Sequence, residues 1–197
     1  MNIIIEVKVE IEVKIKVIKI EVEVPTETNI DLDTSGGGLR VESIRGAVKA
    51  DTSGGGIRVR DVEGDVDVDT SGGGIRIADV RGDVRAETSG GGVRVENVTG
   101  SIDANSSGGP IEASFAAGAT PSGRLSTSGG GVEVWLDANA NVEIDASTSG
   151  GSVSCDLPIT TRGKMSKRSL RGTIGSGGPR LTLRTSGGSI RISERSL

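Results

Sequence analysis

The sequence predicts an all-β protein, a flattened β-solenoid in which each coil contributes two short strands. The first observation is a tetrapeptide, Thr-Ser-Gly-Gly, that recurs at a fixed spacing. Five copies, the last with serine in place of threonine, start 18 residues apart at Thr34, Thr52, Thr70, Thr88 and Ser106. Three later copies start at Thr127, Thr148 and Thr185. A short, strict period indicates a solenoid whose repeats stack as successive coils.

Alternating apolar residues within each repeat are the second observation. In residues 52–69, Ile57 and Val59 alternate with arginines, and two valines further along alternate with aspartates. A period of two is typical of a strand with one buried face. Residues 61–64, Asp-Val-Glu-Gly, are predicted to be a turn that carries one apolar side chain. The eight tetrapeptides predict about eight coils, mostly of 18 residues, each with two strands in facing sheets.

The same positions stay apolar from one repeat to the next, which predicts continuous columns of core side chains. Coils stack at the strand spacing of a sheet, about 4.8 Å, so like lies on like. The scarcity of aromatic residues (one Trp, one Phe, no Tyr) matches such a core. The predicted columns are Leu39/Val41, Ile57/Val59, Ile75/Ile77 and Val93/Val95 in the first strand, Ile44, Val62, Val80 and Val98 in the turn, and Val48/Ala50, Val66/Val68, Val84/Ala86 and Ile102/Ala104 in the second strand.

Paired glycines mark the point at which the chain reverses direction in each repeat. We expect a positive φ or a close approach between coils there, and a hydrogen bond from the leading threonine to the turn or to the threonine above. A phosphate-binding loop would need Lys-Ser/Thr and a helix after the glycines, whereas arginine and a strand follow. The predicted structural turn residues are Thr34, Gly36, Gly37, Thr52, Gly54, Gly55, Thr70, Gly72, Gly73, Thr88, Gly90 and Gly91.

The two ends of the chain differ from the regular repeat. Residues 155–172 form the longest predicted excursion between strands and hold five basic residues, which favours a solvated loop or, as the alternative, contact with an anionic surface. Residues 3–24 contain only Ile, Val, Glu and Lys, and their alternation slips once, at Ile18. We predict a strand cap over residues 1–25 and a solenoid domain over residues 26–197. Two strands that cover the first coil are one interpretation of the cap, and a designed or rewritten segment is the other.

Composition argues against most catalytic and nucleic-acid-binding classes. The chain has no His, which removes the commonest general base and metal ligand. Few aromatics leave little material for stacking on bases, and the net charge is −4. Cys155 stands alone, so no intrachain disulfide forms. We therefore predict no enzyme activity, no catalytic residues, no cofactor, no metal site and no nucleic-acid partner.

The sequence contains no apolar run of transmembrane length and no basic, apolar leader at its start. We therefore expect no transmembrane segment, no signal peptide and, for the chain as written, a cytoplasmic location.

Two segments carry a resemblance to a known family. Residues 51–69, with Asp-Thr-Ser-Gly-Gly-Gly-Ile-Arg-Val and Val-Glu-Gly-Asp-Val-Asp-Val-Asp, resemble the repeat of a bacterial adhesin-like domain family, long classed as a domain of unknown function. Residues 170–192 are similar to the closing segment of that family, and the resemblance covers residues 26–195. It implies a β-solenoid, no known catalysis and a place in the bacterial cell envelope or at the cell surface. Residues 1–24 depart from it.

Four arginines are the candidate contact for an anion. Arg40, Arg58, Arg76 and Arg94 occupy the same outward position in successive repeats. Unit charges stacked about 5 Å apart repel by about 0.8 kcal/mol in water. Nearby carboxylates such as Glu42 and Glu96 offset that repulsion in one interpretation. In the other, an anionic partner lies along the row, for example a wall polymer or lipid headgroups.

Carboxylates also stack, just before each leading threonine. They are Asp33, Asp51, Asp69 and Glu87. Stacked carboxylates could hold Ca²⁺, but the Gly-Gly-x-Gly-x-Asp motif of calcium-binding β-rolls is absent. Capping of the turn is therefore the favoured interpretation.

The leading functional prediction is a non-catalytic, adhesin-like structural or binding scaffold of the bacterial cell envelope, with an envelope polymer as one candidate partner. One alternative is a structural solenoid that self-associates through its ends. The other is an engineered scaffold with no natural ligand.

Overall fold

A computed structural model describes residues 7–10, 25, 27–161 and 166–195. Within those ranges the chain forms strands and turns and no helix, which confirms the predicted all-β class. The described strands are β1 (Val7–Glu10), β2 (Ile30–Thr34), β3 (Leu39–Arg45), β4 (Val48–Thr52), β5 (Ile57–Glu63), β6 (Val66–Thr70), β7 (Ile75–Val80), β8 (Val84–Thr88), β9 (Val93–Val98), β10 (Ile102–Ser106), β11 (Ile111–Phe115), β12 (Gly123–Thr127), β13 (Val132–Leu136), β14 (Val142–Thr148), β15 (Val153–Cys155), β16 (Ile159–Thr161), β17 (Ser169–Ile174), β18 (Arg180–Thr185) and β19 (Ile190–Glu194).

The strands form two sheets that share one hydrophobic core, as expected for a flattened solenoid. The first sheet has the strand order β1-β2-β4-β6-β8-β10-β12-β18-β14-β17-β16. The second sheet has the order β15-β19-β13-β11-β9-β7-β5-β3. Each turn of the solenoid places one strand in each sheet, and equivalent strands of successive turns pair in parallel.

The solenoid has about six turns, slightly fewer than the predicted eight coils. The difference arises because only the turns from β2–β3 to β12–β13 follow one another in chain order. The last two parallel strand pairs are interleaved: β18 lies between β12 and β14, and β19 lies between β13 and β15. The coil that ends the sequence therefore sits inside the stack, held on both sides.

An antiparallel hairpin covers the end of the first sheet. β17 pairs antiparallel with β14, and β16 pairs antiparallel with β17. The prediction of a single long excursion over residues 155–172 is therefore wrong in part, because its two described flanks are strands. These strands pair with segments that are not at equivalent positions of the repeat, so the repeat does not predict their pairing. Within the same region, Cys155 is half-buried, and its desolvation raises the pKa of the thiol.

The predicted apolar columns form the core, with like residues stacked on like. Ile57 pairs in register with Ile75, and Val59 with Ile77. All four side chains are at most 2% exposed. Leu39 is an exception and is only partly buried, because β3 is the outermost described strand of the second sheet.

A bend inside the strands of the second sheet replaces the predicted turn at residues 61–64. β5 continues to Glu63, and Asp61 adopts a left-handed conformation with φ of 55°. Strict alternation would point Val62 outward, but this single left-handed residue shifts the phase so that both Val59 and Val62 are buried. Asp, Asn and Ser tolerate such a φ better than branched residues do. Equivalent left-handed residues in the neighbouring coils are Ser43, Asp79 and Asn97.

Only Val7–Glu10 of the alternating N-terminal segment is described. This strand pairs in parallel with β2 and extends the first sheet by one strand. The slip at Ile18 and the rest of the alternating segment lie outside the described residues, so the two-strand cap and the domain boundary at residue 25 stay predictions. No helix long and apolar enough to cross a membrane occurs in the described part of the chain.

Candidate anion-binding face

A buried hydroxyl closes most of the glycine-rich turns. The hydroxyl of Thr70 donates a hydrogen bond to the carbonyl oxygen of Gly55 in the preceding coil, at 2.8 Å, and accepts one from the backbone N–H of Gly73 in its own turn, at 3.2 Å. The expected hydrogen bond to the turn is therefore present. The bond between coils goes to a glycine carbonyl oxygen and not to the threonine of the neighbouring coil. Both hydrogen bonds are internal, so the hydroxyl is already satisfied without a ligand. The same pair of bonds recurs at Thr52, Thr88, Ser106, Thr127, Thr148 and Thr185.

From the second turn onward, the second glycine of the turn is required by close packing against the preceding coil. A Cβ atom on Gly73 would overlap the carbonyl oxygen of Gly55 directly beneath it. The first glycine of the turn has more room, and at Gly36 nothing lies within 4 Å of a built Cβ. None of these turn glycines has a positive φ, so close approach is the cause of their recurrence. The same crowding applies to Gly55 and Gly91, whereas Gly37, Gly54, Gly72 and Gly90 are less crowded.

The four candidate arginines stack in direct register on the outer face of the second sheet. Arg40 pairs with Arg58, Arg58 with Arg76, and Arg76 with Arg94. The next residue in the row is Glu112, which pairs with Arg94 and ends the run of like charge. We call the four arginines the arginine ladder. Its spacing is that of paired strands, about 4.8 Å.

Carboxylates neutralise the two ends of the arginine ladder. Arg40 contacts Glu42 at 2.7 Å, and this hydrogen bond lowers the pKa of the Glu42 carboxyl. At the other end, Arg94 contacts Glu96 at 3.1 Å and Glu112 at 3.0 Å. The interpretation that nearby carboxylates offset the repulsion therefore applies to the outer two arginines.

The two central arginines have a different environment. Arg60 stands two residues after Arg58, and Ala78 stands two residues after Arg76, at the positions that hold glutamates in the outer coils. No carboxylate of the described residues lies within 4.0 Å of either guanidinium. Positive charge on this face is therefore concentrated at Arg58 and Arg76.

A shallow groove runs along the arginine ladder. Its volume is about 650 Å³, and it crosses five coils from Arg40 to Glu112. Small residues line it beside the arginines: Gly38, Gly56, Gly74, Gly92 and Pro110. The groove can therefore accept an extended molecule that lies along the solenoid axis, with the guanidinium groups beside it.

The outer face of the first sheet carries charges in a different order. Its central row alternates in sign from strand to strand, so that each charge inside the row lies between two of the opposite sign. The members of this alternating row are Asp31, Lys49, Asp67, Arg85, Asp103 and Arg124. Such a row neutralises itself. The same alternation is visible in the sequence at 18-residue spacing from Asp31 to Asp103.

A family model described as Toastrack DUF4097 matches residues 2–193. The chain belongs to this family. It is a family of unknown function, and the match includes the whole of the alternating N-terminal segment, residues 3–24, which the resemblance in the sequence had left out. No curated protein and no solved structure matches the chain significantly.

The carboxylate row of this Toastrack domain stacks as predicted but does not close the turns. Asp33, Asp51, Asp69 and Glu87 pair in register along the first sheet. The described hydrogen bonds to the turns come from the threonine hydroxyls. Desolvation, followed by repulsion from Glu87 and Asp51, raises the pKa of Asp69. No group of three or more His, Cys, Asp or Glu side chains in the described ranges is arranged to hold a metal ion.

Proposed function

We propose that this Toastrack domain is a non-catalytic, adhesin-like binding scaffold of the bacterial cell envelope. Its second sheet presents the arginine ladder to an anionic molecule of the envelope. The observation that carries the proposal is the stacking of four arginines in direct register along a groove.

The contrast between the two sheets supports a role for that stacking. Neighbouring charges of the arginine ladder repel by about 0.8 kcal/mol each at this spacing in water. The alternating row on the first sheet avoids such repulsion within the same repeat. Glutamates offset this repulsion at Arg40 and Arg94, and an external anion would offset it between Arg58 and Arg76.

Two further features support a scaffold in preference to an enzyme. The hydroxyls at the heads of the turns are engaged in bonds between coils, and the sequence contains no His to act as a general base. The envelope location comes from the family resemblance, whose relatives are often tied to the envelope.

Binding of a soluble polyanion tests the proposal. We would measure the affinity of the full chain for dextran sulfate by isothermal titration calorimetry, and repeat it with R40Q/R58Q/R76Q/R94Q. The account predicts a loss of at least about tenfold in affinity, since several charge-assisted hydrogen bonds disappear.

A charge-matched variant controls for net charge. K49Q/R85Q/R124Q/R171Q removes four positive charges from the first sheet. Its affinity for dextran sulfate should stay within about twofold of that of the unsubstituted chain. Equal affinity for both quadruple variants would mean that the arginine ladder has no special role, and the proposal would be abandoned.

A further inference from the structure

We propose that the ligand-binding part of the ladder is a two-arginine clamp, Arg58 and Arg76, which takes one compact oxyanion such as a phosphate group. The oxyanion is carried by an extended and otherwise uncharged chain that lies in the groove. This inference rests on the proposed function and narrows its ligand.

The boundaries of the clamp are set by glutamates. Arg40 forms an ion pair with Glu42, with the nitrogen and oxygen 2.7 Å apart. Arg94 forms ion pairs with Glu96 at 3.1 Å and with Glu112 at 3.0 Å. A ligand anion at either end would have to displace a carboxylate that is already hydrogen-bonded. The clamp residues have no such competitor among the described residues.

Arg60 does not compete for the clamp. Its guanidinium turns toward Asp79 in the next coil, with the Nε and carboxylate oxygen 3.5 Å apart. Asp79 is one of the left-handed residues at the bend, which carries its side chain outward beside Arg60. The residues around the clamp therefore leave its two guanidinium groups open to solvent and to a ligand.

The geometry of the clamp suits a tetrahedral oxyanion. Arg58 and Arg76 pair directly across two adjacent strands, about 4.8 Å apart along the axis. Each guanidinium offers a planar fork of N–H donors that matches phosphate or carboxylate oxygens. One phosphate group between them can accept hydrogen bonds from both forks.

The groove is longer than the clamp, which restricts the rest of the ligand. It spans five coils, about 19 Å at the strand spacing. Glu42, Glu96 and Glu112 flank the clamp inside or beside this groove. Because these glutamates already neutralise Arg40 and Arg94, the flanks offer no free positive charge to a second anionic group, so the flanking parts of the ligand are uncharged.

Side-chain NMR of the full chain, titrated with inorganic phosphate, tests the clamp. The Nε–Hε signals of Arg58 and Arg76 should shift together with a single dissociation constant, while those of Arg40 and Arg94 should stay in place. Equal shifts at all four arginines, or no shift at any, would overturn the clamp.

Variants separate the clamp from the proposed function. R58Q/R76Q should weaken phosphate binding by about tenfold or more, whereas R40Q/E42Q, which removes a neutral ion pair and leaves no carboxylate unpaired, should change it by less than about twofold. If dextran sulfate binding needs the arginine ladder but phosphate shifts no arginine signal, the proposed function stands and the clamp is wrong. If neither binds, both are wrong.

The same phosphate chemistry can come from a soluble polymer or a lipid headgroup. Titration with glycerol 3-phosphate and with vesicles that contain phosphatidylglycerol distinguishes the two sources. Binding in either arm that R58Q/R76Q abolishes supports the clamp and identifies the source. Binding that survives R58Q/R76Q in both arms contradicts it.

Discussion

Single residues in the turns hold successive coils at the spacing of paired strands. The second glycine of a turn allows backbone contact between coils, and the leading hydroxyl joins them by a hydrogen bond. Ser106 replaces threonine with both bonds intact, so the hydroxyl and not the methyl group is what the turn requires.

Replacing single glycines by alanine should show whether the second glycine recurs because of close packing between coils or because of its backbone freedom. G73A places a Cβ against the backbone of Gly55 and should lower the free energy of unfolding by about 3 kcal/mol. The matched G36A, where nothing lies within 4 Å of the added atom, should change it by less than about 0.5 kcal/mol. Urea denaturation measures both. Equal effects would mean that close approach is not the reason for the second glycine.

Two carboxylates on the first sheet should respond to pH with opposite signs. Burial and neighbouring carboxylates raise the pKa of Asp69 above its ordinary 3.8, so its ionised form destabilises the fold at neutral pH. That destabilisation is relieved as pH falls through the raised pKa. D69N should therefore stabilise at neutral pH by about 0.3 kcal/mol, a small value because the site is exposed, and the gain should vanish in acid.

Asp145 supplies the opposite case. Hydrogen bonding to Arg184 at 2.9 Å lowers the pKa of its carboxyl, with Arg171 also in contact. Its stabilisation is present above the unfolded-state pKa and is lost as pH falls through the lowered one. D145N should destabilise by about 1 kcal/mol at neutral pH. Urea unfolding of both variants against pH measures this pair, and a shared sign would refute the electrostatic account.

At the scale of strands, the sequence predicted most of the stacking. Identical spacing puts identical positions in register, so the core columns, the arginine ladder and the two sheets follow from the 18-residue period. The left-handed bend did not follow, because a short Asp-Val-Glu-Gly segment is as typical of a turn as of a bent strand. Nor did the lack of carboxylate partners at Arg58 and Arg76, which depends on Arg60 and Ala78 standing where the outer coils have glutamate.

The order of the last coils could not be read from the repeat either. Thr127, Thr148 and Thr185 begin equivalent motifs, and nothing in those motifs specifies which strands lie next to each other in the sheet. The hydroxyl bonds follow the spatial order instead, because Thr185 bonds to Gly130 and Thr148 bonds to Gly188. The position of β18 depends on pairing between unlike segments.

Hydrogen exchange should report the interleaved coil. Amides of β18, paired on both sides, should exchange as slowly as those of β6 and β8 although they lie near the end of the chain. β16, a three-residue strand at the edge of its sheet, is the internal control and should exchange faster. Exchange of β18 as fast as β16 would contradict the interleaved order.

At the scale of the whole molecule, one end of the stack is blunted. The first sheet ends in the antiparallel strand β16 and the second in β15, each three residues long. Short edge strands and reversed pairing disfavour addition of another parallel coil. End-to-end growth of a filament needs both ends of the solenoid to accept another molecule. Because the end with β15 and β16 does not favour this, the self-assembling alternative is disfavoured.

Light scattering tests that alternative. The molar mass of the full chain should stay independent of concentration, because end-to-end stacking is blocked at β15 and β16. A mass that rises continuously with concentration would instead support a self-assembling solenoid.

The central claim is that the arginine ladder binds an anionic component of the cell envelope. The most direct measurement is co-sedimentation of the full chain with isolated bacterial cell walls, before and after extraction of their anionic polymers. The account predicts binding to intact walls, loss of binding after extraction, and loss in R40Q/R58Q/R76Q/R94Q but not in the charge-matched K49Q/R85Q/R124Q/R171Q. Binding that is unchanged by extraction, or equal in the two variants, would contradict the account.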